Sequence, residues 1–489
     1  MQRRTYGYTI FFLLLILSAG CKKFVESGNV NINPNRPSAV TLNTLLPAVE
    51  YTTSSNHFQV AYTTSLFSQQ MASYQGGPLT DDQHRDVRMG VAYTGLYQTA
   101  LTNSKLLVEQ AKALGSPFYT AIGRILLVMN LSLATDTYGD VPFSEAFQAP
   151  AVLYPHYDKQ ETLYPLMQKY LDSAITESQQ ANPATLKPAT DDLVYGGDMT
   201  AWRQTANFLK ARLSMHLTKK GAAAAASAAI TALGSGAYTA ASKDCQLVYN
   251  DKNLNPWYSN IAIKLTTGNY YITPSKRFVD ALNGTAYPGL VDPRISFLMD
   301  KKASTSYIGL QNGAGNTGNT TDLSSNTYFA KSNSPVLMAT YAEQKLLEAE
   351  ARFLANGGTV TSVGSTQAAY DAYMAGIVAN MQKLGVPAAA ITADTTHPQV
   401  AVGASKLTLE LILREKQIVL YLHPEAWVDV RRYDYNPALF KGMALPLNQD
   451  PTLGGQFIRR SGFPLDEVNR NPNIKEAIQP LNAKEWWDQ

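Results

Sequence analysis

Residues 117–139 read PFYTAIGRILLVMNLSLATDTYG, and this stretch decides the fold class. Ile122, Ile125, Leu126, Met129 and Leu133 fall at i, i+3, i+4, i+7 and i+11, the spacing of one helical face. Pro117 stands at the start and Gly139 just past the end, where a helix tolerates each. Similar amphipathic stretches are predicted over 41–72, 91–114, 160–180, 199–231, 335–356, 367–384 and 406–422, and strand-like alternation is sparse. Long polar segments at 74–90, 138–159, 236–275 and 302–334 separate them. Loops of that length are uncommon in compact domains unless they carry function. The pattern predicts an all-α body, a helical-repeat superhelix with an irregular lobe, although no strict repeat period is visible.

With 489 residues the chain is long enough for a large single domain or two to three smaller ones. Its 41 Lys+Arg against 38 Asp+Glu leave a formal charge of +3. No basic tract is interleaved with aromatics, which argues against a nucleic-acid partner. Charged residues make up 16%, below the usual quarter, while 28 tyrosines dominate the aromatics. That balance suits a protein outside the cytoplasm that touches neutral ligands.

The first twenty residues carry Arg3 and Arg4, an apolar run from Ile10 to Leu17, then small residues. They read as a secretory signal peptide, too short to span a bilayer. Ser18-Ala19-Gly20-Cys21 resembles a bacterial lipobox, with Ser18 where a branched residue is usual, so Cys21 is the expected lipidated N-terminus. Residues 21–40, punctuated by Pro34 and Pro37, read as a spacer to a single helical domain over 41–489, whose loop-rich lobe lies near 236–334. Several acyl chains on one cysteine would give stable anchoring. A lipidated Cys21 leaves Cys245 unpaired, so neither a disulfide framework nor a cysteine metal site is expected.

Catalytic signatures are weak. Residues 313–318 fit GxGxxG, but no apolar helix follows on which a pyrophosphate could sit. The six histidines have no metal-ligand neighbour at i+3 or i+4, and neither a metal nor any other cofactor is expected. Glu343 and Glu350 project toward the apolar face of one helix, and a buried carboxylate must find a cation or be neutral. Arg431 and Arg432 are the available cations. Structural pairing is the first reading of these acids, and a glycosidase carboxylate pair is the competing one.

Other stretches carry a resemblance. They include Asn33-Pro34-Asn35, Leu45-Leu46-Pro47-Ala48, the run from Thr135 to Ala146 with Asp136, Tyr138, Gly139, Asp140 and Pro142, and Tyr195-Gly196-Gly197-Asp198 with Trp202. Asp292-Pro293-Arg294, Glu343 with Ala349-Glu350-Ala351, Glu425 to Arg432, Arg459-Arg460 and Trp486-Trp487-Asp488 follow. In that order they resemble the SusD/RagB-like nutrient-binding outer-membrane lipoproteins of Bacteroidetes, in the branch with compact loops. The resemblance implies tetratricopeptide-like helix pairs supporting a loop-rich ligand lobe. It further implies an exterior-facing, lipid-anchored binding protein without enzymatic activity, partner to a SusC-like TonB-dependent transporter. The ligand implied is an oligosaccharide or, in some members, an oligopeptide. A lipid-anchored glycan hydrolase is the alternative.

The motif residues read as scaffold: Gly139 and Pro142 close a helix, and Asp140 can accept backbone hydrogen bonds there. Trp202, Trp427, Trp486 and Trp487 read as packing anchors. Ligand contacts are expected in the loops, where flat aromatic rings lie beside polar donors and acceptors. Two segments qualify: Tyr74 through Asp81, Asp82, Arg85 and Arg88, and Trp257-Tyr258 with Asn269, Tyr270 and Tyr271. Their positions match those of the family's site, and for each aromatic packing is an equal alternative, most of all for Trp257.

Overall fold

The computed structural model describes residues 40–302, 304–318 and 320–489. The expected signal peptide, the lipidated Cys21 and nearly all of the 21–40 spacer lie outside the described residues. Helix α1 (Leu42–Phe67) ends earlier than its apolar pattern predicts. Gln69 takes a φ of +53°, turning the chain into strand β1 (Met71–Ser73). A five-residue helix α2 (Pro78–Asp82) interrupts the first long polar segment, and α3 (Thr102–Leu114) follows a π-helical stretch, Gly95–Leu101.

The apolar stretch after Ser116 forms α4 (Pro117–Tyr138), capped by Ser116, whose hydroxyl accepts from the Tyr119 amide at 3.4 Å. It is buried on nearly every side, Gly123, Leu127, Val128 and Asn130 as well as the predicted face. Among the described residues α4 alone is long and apolar enough to cross a membrane, and its surroundings are protein. An all-round apolar helix in that position is the centre of a core. Helix α5 (Gln160–Glu177) packs along it.

The expected helix over 199–231 is two helices, α6 (Met199–His216) and α7 (Ala222–Gly234), because Gly221 is extended at φ 165° after a 3₁₀ turn at Leu217–Lys219. Strand β2 (Cys245–Val248), helix α8 (Pro256–Asn260), strand β3 (Ile272–Pro274) and helix α9 (Lys276–Leu282) are the short elements of the loop-rich region. The expected helix from 335 instead begins with strand β4 (Pro335–Ala339), antiparallel to β2, in which Val336 and Met338 are buried on a period of two. Thr340 then caps α10 (Tyr341–Ala355). Helices α11 (Gln367–Leu384), α12 (Leu409–Val419) and α13 (Glu425–Arg432) complete the body.

Successive helices pack on one another: α3 on α4, α4 on α5, α5 on α6, α6 on α7, α7 on α10, and α10 on both α11 and α12. This is the stacked helix-pair scaffold expected, closed by a main apolar core running from Leu42 to Trp487, with a small separate cluster of Leu247, Tyr249 and Val336. Trp202, Trp427 and Trp487 are fully buried, and each such side chain contributes roughly 1.5–3 kcal/mol.

The charged residues inside this core differ from expectation in one respect. Glu343 pairs with Arg212 on α6, at 2.7 Å, and with neither Arg431 nor Arg432. Glu350 lies between Arg432 and Lys416, both at 2.7 Å, and also accepts from Tyr433 Oη. Adjacent helical residues point about 100° apart, so Arg431 and Arg432 cannot both face α10. Arg431 instead lies against the rings of Trp427 and Trp487, 3.7 and 4.8 Å from their centroids. Its Nη1 donates to the carbonyls of Asp136 and Arg459.

Candidate functional site

Strands β1 and β3 are separated by almost 200 residues of sequence, yet they pair antiparallel, Met71 opposite Pro274 and Ser73 opposite Ile272. The pairing sets the turn after β1 beside the turn before β3. The Tyr74 amide donates to the Tyr271 carbonyl at 2.7 Å, and Gln75 Nε2 donates to the carbonyls of Gly268 and Tyr270. The turns that carry Tyr74 and Tyr270-Tyr271 are therefore adjacent.

Neighbouring side chains in extended chain point to opposite faces, and Tyr270 and Tyr271 divide accordingly. Tyr270 turns inward and stacks on Tyr74, ring centroids 4.7 Å apart at 26°. Tyr271 stays 38% exposed and lies over Gly76, where an added Cβ would come within 2.7 Å of its Cδ1. Gly76 also has a φ of +74°, so a side chain there is disfavoured twice. Lys264 Nζ stands 5.7 Å from the Tyr271 centroid and Lys302 Nζ 5.9 Å from that of Tyr270, within cation–π range.

Helix α2 adds two carboxylates with different fates. Asp82 is buried and accepts from the Ser73 amide, Asn312 Nδ2 and the Gly313 amide, all at 2.7–2.9 Å. That explains the glycine-rich 313–318 stretch as packing: at Gly313 an added Cβ would sit 2.0 Å from the Leu447 carbonyl oxygen. Asp81 is half-buried, and no described residue donates to its carboxylate. Burial pushes its pKa up to about 6. Asp81 and Tyr271 both lie close enough to Tyr62 of α1 to disfavour ionisation of its phenol, which burial already holds above its ordinary value. Tyr62, Asp81 and Tyr271 thus lie near one another. Sequence reading missed Tyr62 because a tyrosine on an apolar helix reads as core.

The remaining predicted contacts fall outside it or behind it. Trp257 is 2% exposed, edge-on to Phe58 at 4.8 Å and stacked behind Tyr62 at 6.3 Å, so it supports the site as scaffold and presents no face to a ligand. Asn255 caps α8 by accepting from the amides of Trp257 and Tyr258, and Tyr258 is half-buried against the core. Arg85 is exposed but donates to the Asn448 carbonyl at 2.9 Å, which fastens its loop.

The turn motif ties helices together. Tyr138 Oη donates to the Met89 carbonyl, and Asp140 accepts from the Gln160 amide and Lys159 Nζ, joining the end of α4 to the start of α5. Asp136, His216 and Glu425 place one potential metal-ligand atom each within 4.8 Å of one another. Local spacing gave no hint of this cluster, because α4, α6 and α13 supply it. His216 Nε2 lies 2.8 Å from Glu425, and Nδ1 lies 3.5 Å from Asp136 and 2.9 Å from Tyr164 Oη. Tyr164 Oη, which donates to Asp136 and meets His216 Nδ1, joins the three side chains into one buried hydrogen-bonded network.

A family model described as "Starch-binding associating with outer membrane" matches residues 34–464. The chain belongs to the SusD-like family. No curated protein matches it significantly. Solved structures show the same fold: a SusD/RagB family protein from Bacteroides thetaiotaomicron is 19% identical with a TM-score of 0.73, the alignment covering 92% of this chain and 99% of the other. A chitin-binding SusD homologue from Flavobacterium johnsoniae is 21% identical with a TM-score of 0.70, over 91% and 98%. Another structure named as a chitin-binding protein is 23% identical with a TM-score of 0.71, over 91% and 100%. In this SusD-like protein the pairing of β1 with β3 sets the exposed Tyr271 beside the Tyr74–Tyr270 stack, while the motif residues hold the scaffold.

Proposed function

We propose that this SusD-like protein is a lipid-anchored binding protein of the outer membrane, facing the exterior, which captures oligosaccharides and delivers them to a SusC-like TonB-dependent transporter. The observation that carries this reading is the pairing of β1 with β3, which sets the exposed ring of Tyr271 over Gly76 beside the Tyr74–Tyr270 stack, with the half-buried Asp81 on the adjoining helix α2. Sugar rings offer apolar CH faces to an exposed aromatic ring, and their hydroxyls donate to a carboxylate that has no donor of its own among the described residues. The starch named by the family description and the chitin named for two structural relatives support a neutral glycan as the ligand class.

Binding without cleavage fits the acids inside the scaffold. Glu343 and Glu350 are buried in the core and paired with cations, so neither reaches a bound glycan. Titration calorimetry with starch- and chitin-derived oligosaccharides, followed by chromatography of the ligand, tests the reading. Saturable binding with intact ligand is expected, and cleaved products would instead assign a hydrolase. Mass spectrometry of membrane-extracted protein should find an acylated N-terminal Cys21.

A further inference from the structure

At the far end of the β1–β3 pair from the aromatic surface lies a second cleft of about 330 Å³, lined by Gln69, Lys276, Arg277, Thr285, Asn312 and Lys441 among others. Its volume falls within the range of small-ligand sites, about 300–1,000 Å³. Its charges are unequal. Lys276 is held by Asp280, a carboxylate of the same cleft, and Lys441 lies 3.7 Å from Glu410 with its Nζ over the Tyr287 ring at 3.9 Å.

Arg277 has no such partner among the described residues. Its side chain is buried, Nη2 donates to the Ser68 carbonyl at 2.7 Å and to Gln417 Oε1 at 3.2 Å, Nε is buried with no hydrogen-bond partner among the described residues, and no described residue accepts from Nη1. No carboxylate among the described residues forms an ion pair with it. Burial lowers its pKa to about 10, and only the Tyr287 phenol acts in the other direction. A buried guanidinium normally has an anionic partner, because desolvating an uncompensated charge is costly. Here the cleft has one uncompensated positive charge, which one monoanion would balance.

We propose that this cleft is a binding site for a carboxylate group, received by Arg277 Nη1 with Lys441 and Thr285 at the rim. Asp280 and Glu410 disfavour a dianion such as phosphate. A carboxylate could arrive on a uronic-acid sugar or as the C-terminus of a peptide, and both share the group that Arg277 would recognise. The site is separate from the aromatic surface and does not rest on the neutral-glycan reading.

The test is calorimetry and thermal melting of the purified chain with sodium glucuronate, triglycine, glucose and inorganic phosphate. Glucuronate or triglycine should bind at millimolar concentration and raise the melting temperature, whichever binds more tightly identifying the source, while glucose should not. Arg277→Gln should weaken that binding by about tenfold to a hundredfold. Since a buried substitution can impair folding, Lys441→Glu and Thr285→Trp serve as rim variants that leave the core alone and should also weaken binding. Absence of binding by both carboxylates overturns the proposal. So does phosphate binding as tightly as they do, or carboxylate binding that survives both rim variants. Tyr271→Ala should leave this site untouched, which separates its failure from failure of the glycan reading.

Discussion

The ring of Tyr271 rests on Gly76, so close that a Cβ on Gly76 would approach Tyr271 Cδ1 to 2.7 Å. The position of the exposed ring is thus set by the absence of a side chain on the neighbouring turn. Gly76→Ala should displace the ring and add strain at φ +74°. Glycan affinity should fall, with a stability loss of about 1 kcal/mol. Calorimetry and denaturant melts on the same sample check both.

Tyr271→Ala should weaken oligosaccharide binding by about 1 kcal/mol, roughly fivefold, with little change in melting temperature, since an exposed ring adds little to the core. Trp257→Ala should do the reverse first. Losing its packing on Phe58 should cost about 3–5 kcal/mol in stability, and a melt that barely moves would return Trp257 to the ligand site.

Asp81 predicts a pH dependence. Its pKa is raised by burial to about 6, so the folded state holds this proton more tightly than the unfolded chain does. The carboxylate therefore opposes folding fully above about pH 6, and that cost shrinks as pH falls from 6 and is gone below the ordinary aspartate range. If the ionised form accepts from sugar hydroxyls, affinity should be higher at pH 7.5 than at pH 5. Asp81→Asn should flatten the affinity profile and raise the melting temperature at pH 7.5.

Glu350 has the opposite sign. Burial raises its pKa, but Arg432 and Lys416 outweigh burial and hold it down to about 2. Its contribution to stability is complete above the ordinary glutamate range and is lost as pH falls toward 2. Glu350→Ala should destabilise by about 3–5 kcal/mol at neutral pH, because it strands buried cations. Melts from pH 7 to pH 2 should show the wild-type advantage over the variant shrinking across that lower window.

Cys245 is buried, and burial holds its thiol well above the ordinary range. It should resist alkylation in the native protein and react fully in denaturant, as a mass shift under each condition would show.

The sequence by itself determined the helical body. The 3.6-residue period of Ile122, Ile125, Leu126 and Met129, with Pro117 and Gly139 at the ends, is local information, and each helix carries its own copy. It also marked the polar segments that hold Tyr74, Asp81, Tyr270 and Tyr271. What it could not supply was every relation between distant residues. The pairing of Met71 with Pro274, the choice of Arg212 for Glu343, the burial of Trp257 and the inclusion of Tyr62 depend on how helices and turns meet. Local pattern also misplaced 335–339 and joined 199–231, since a short strand needs its partner β2 and a helix break at Gly221 needs only one extended residue. Periodicity reports which face of an element is apolar. Only the tertiary structure decides what that face meets, because packing and ion pairing are made between elements far apart in the chain.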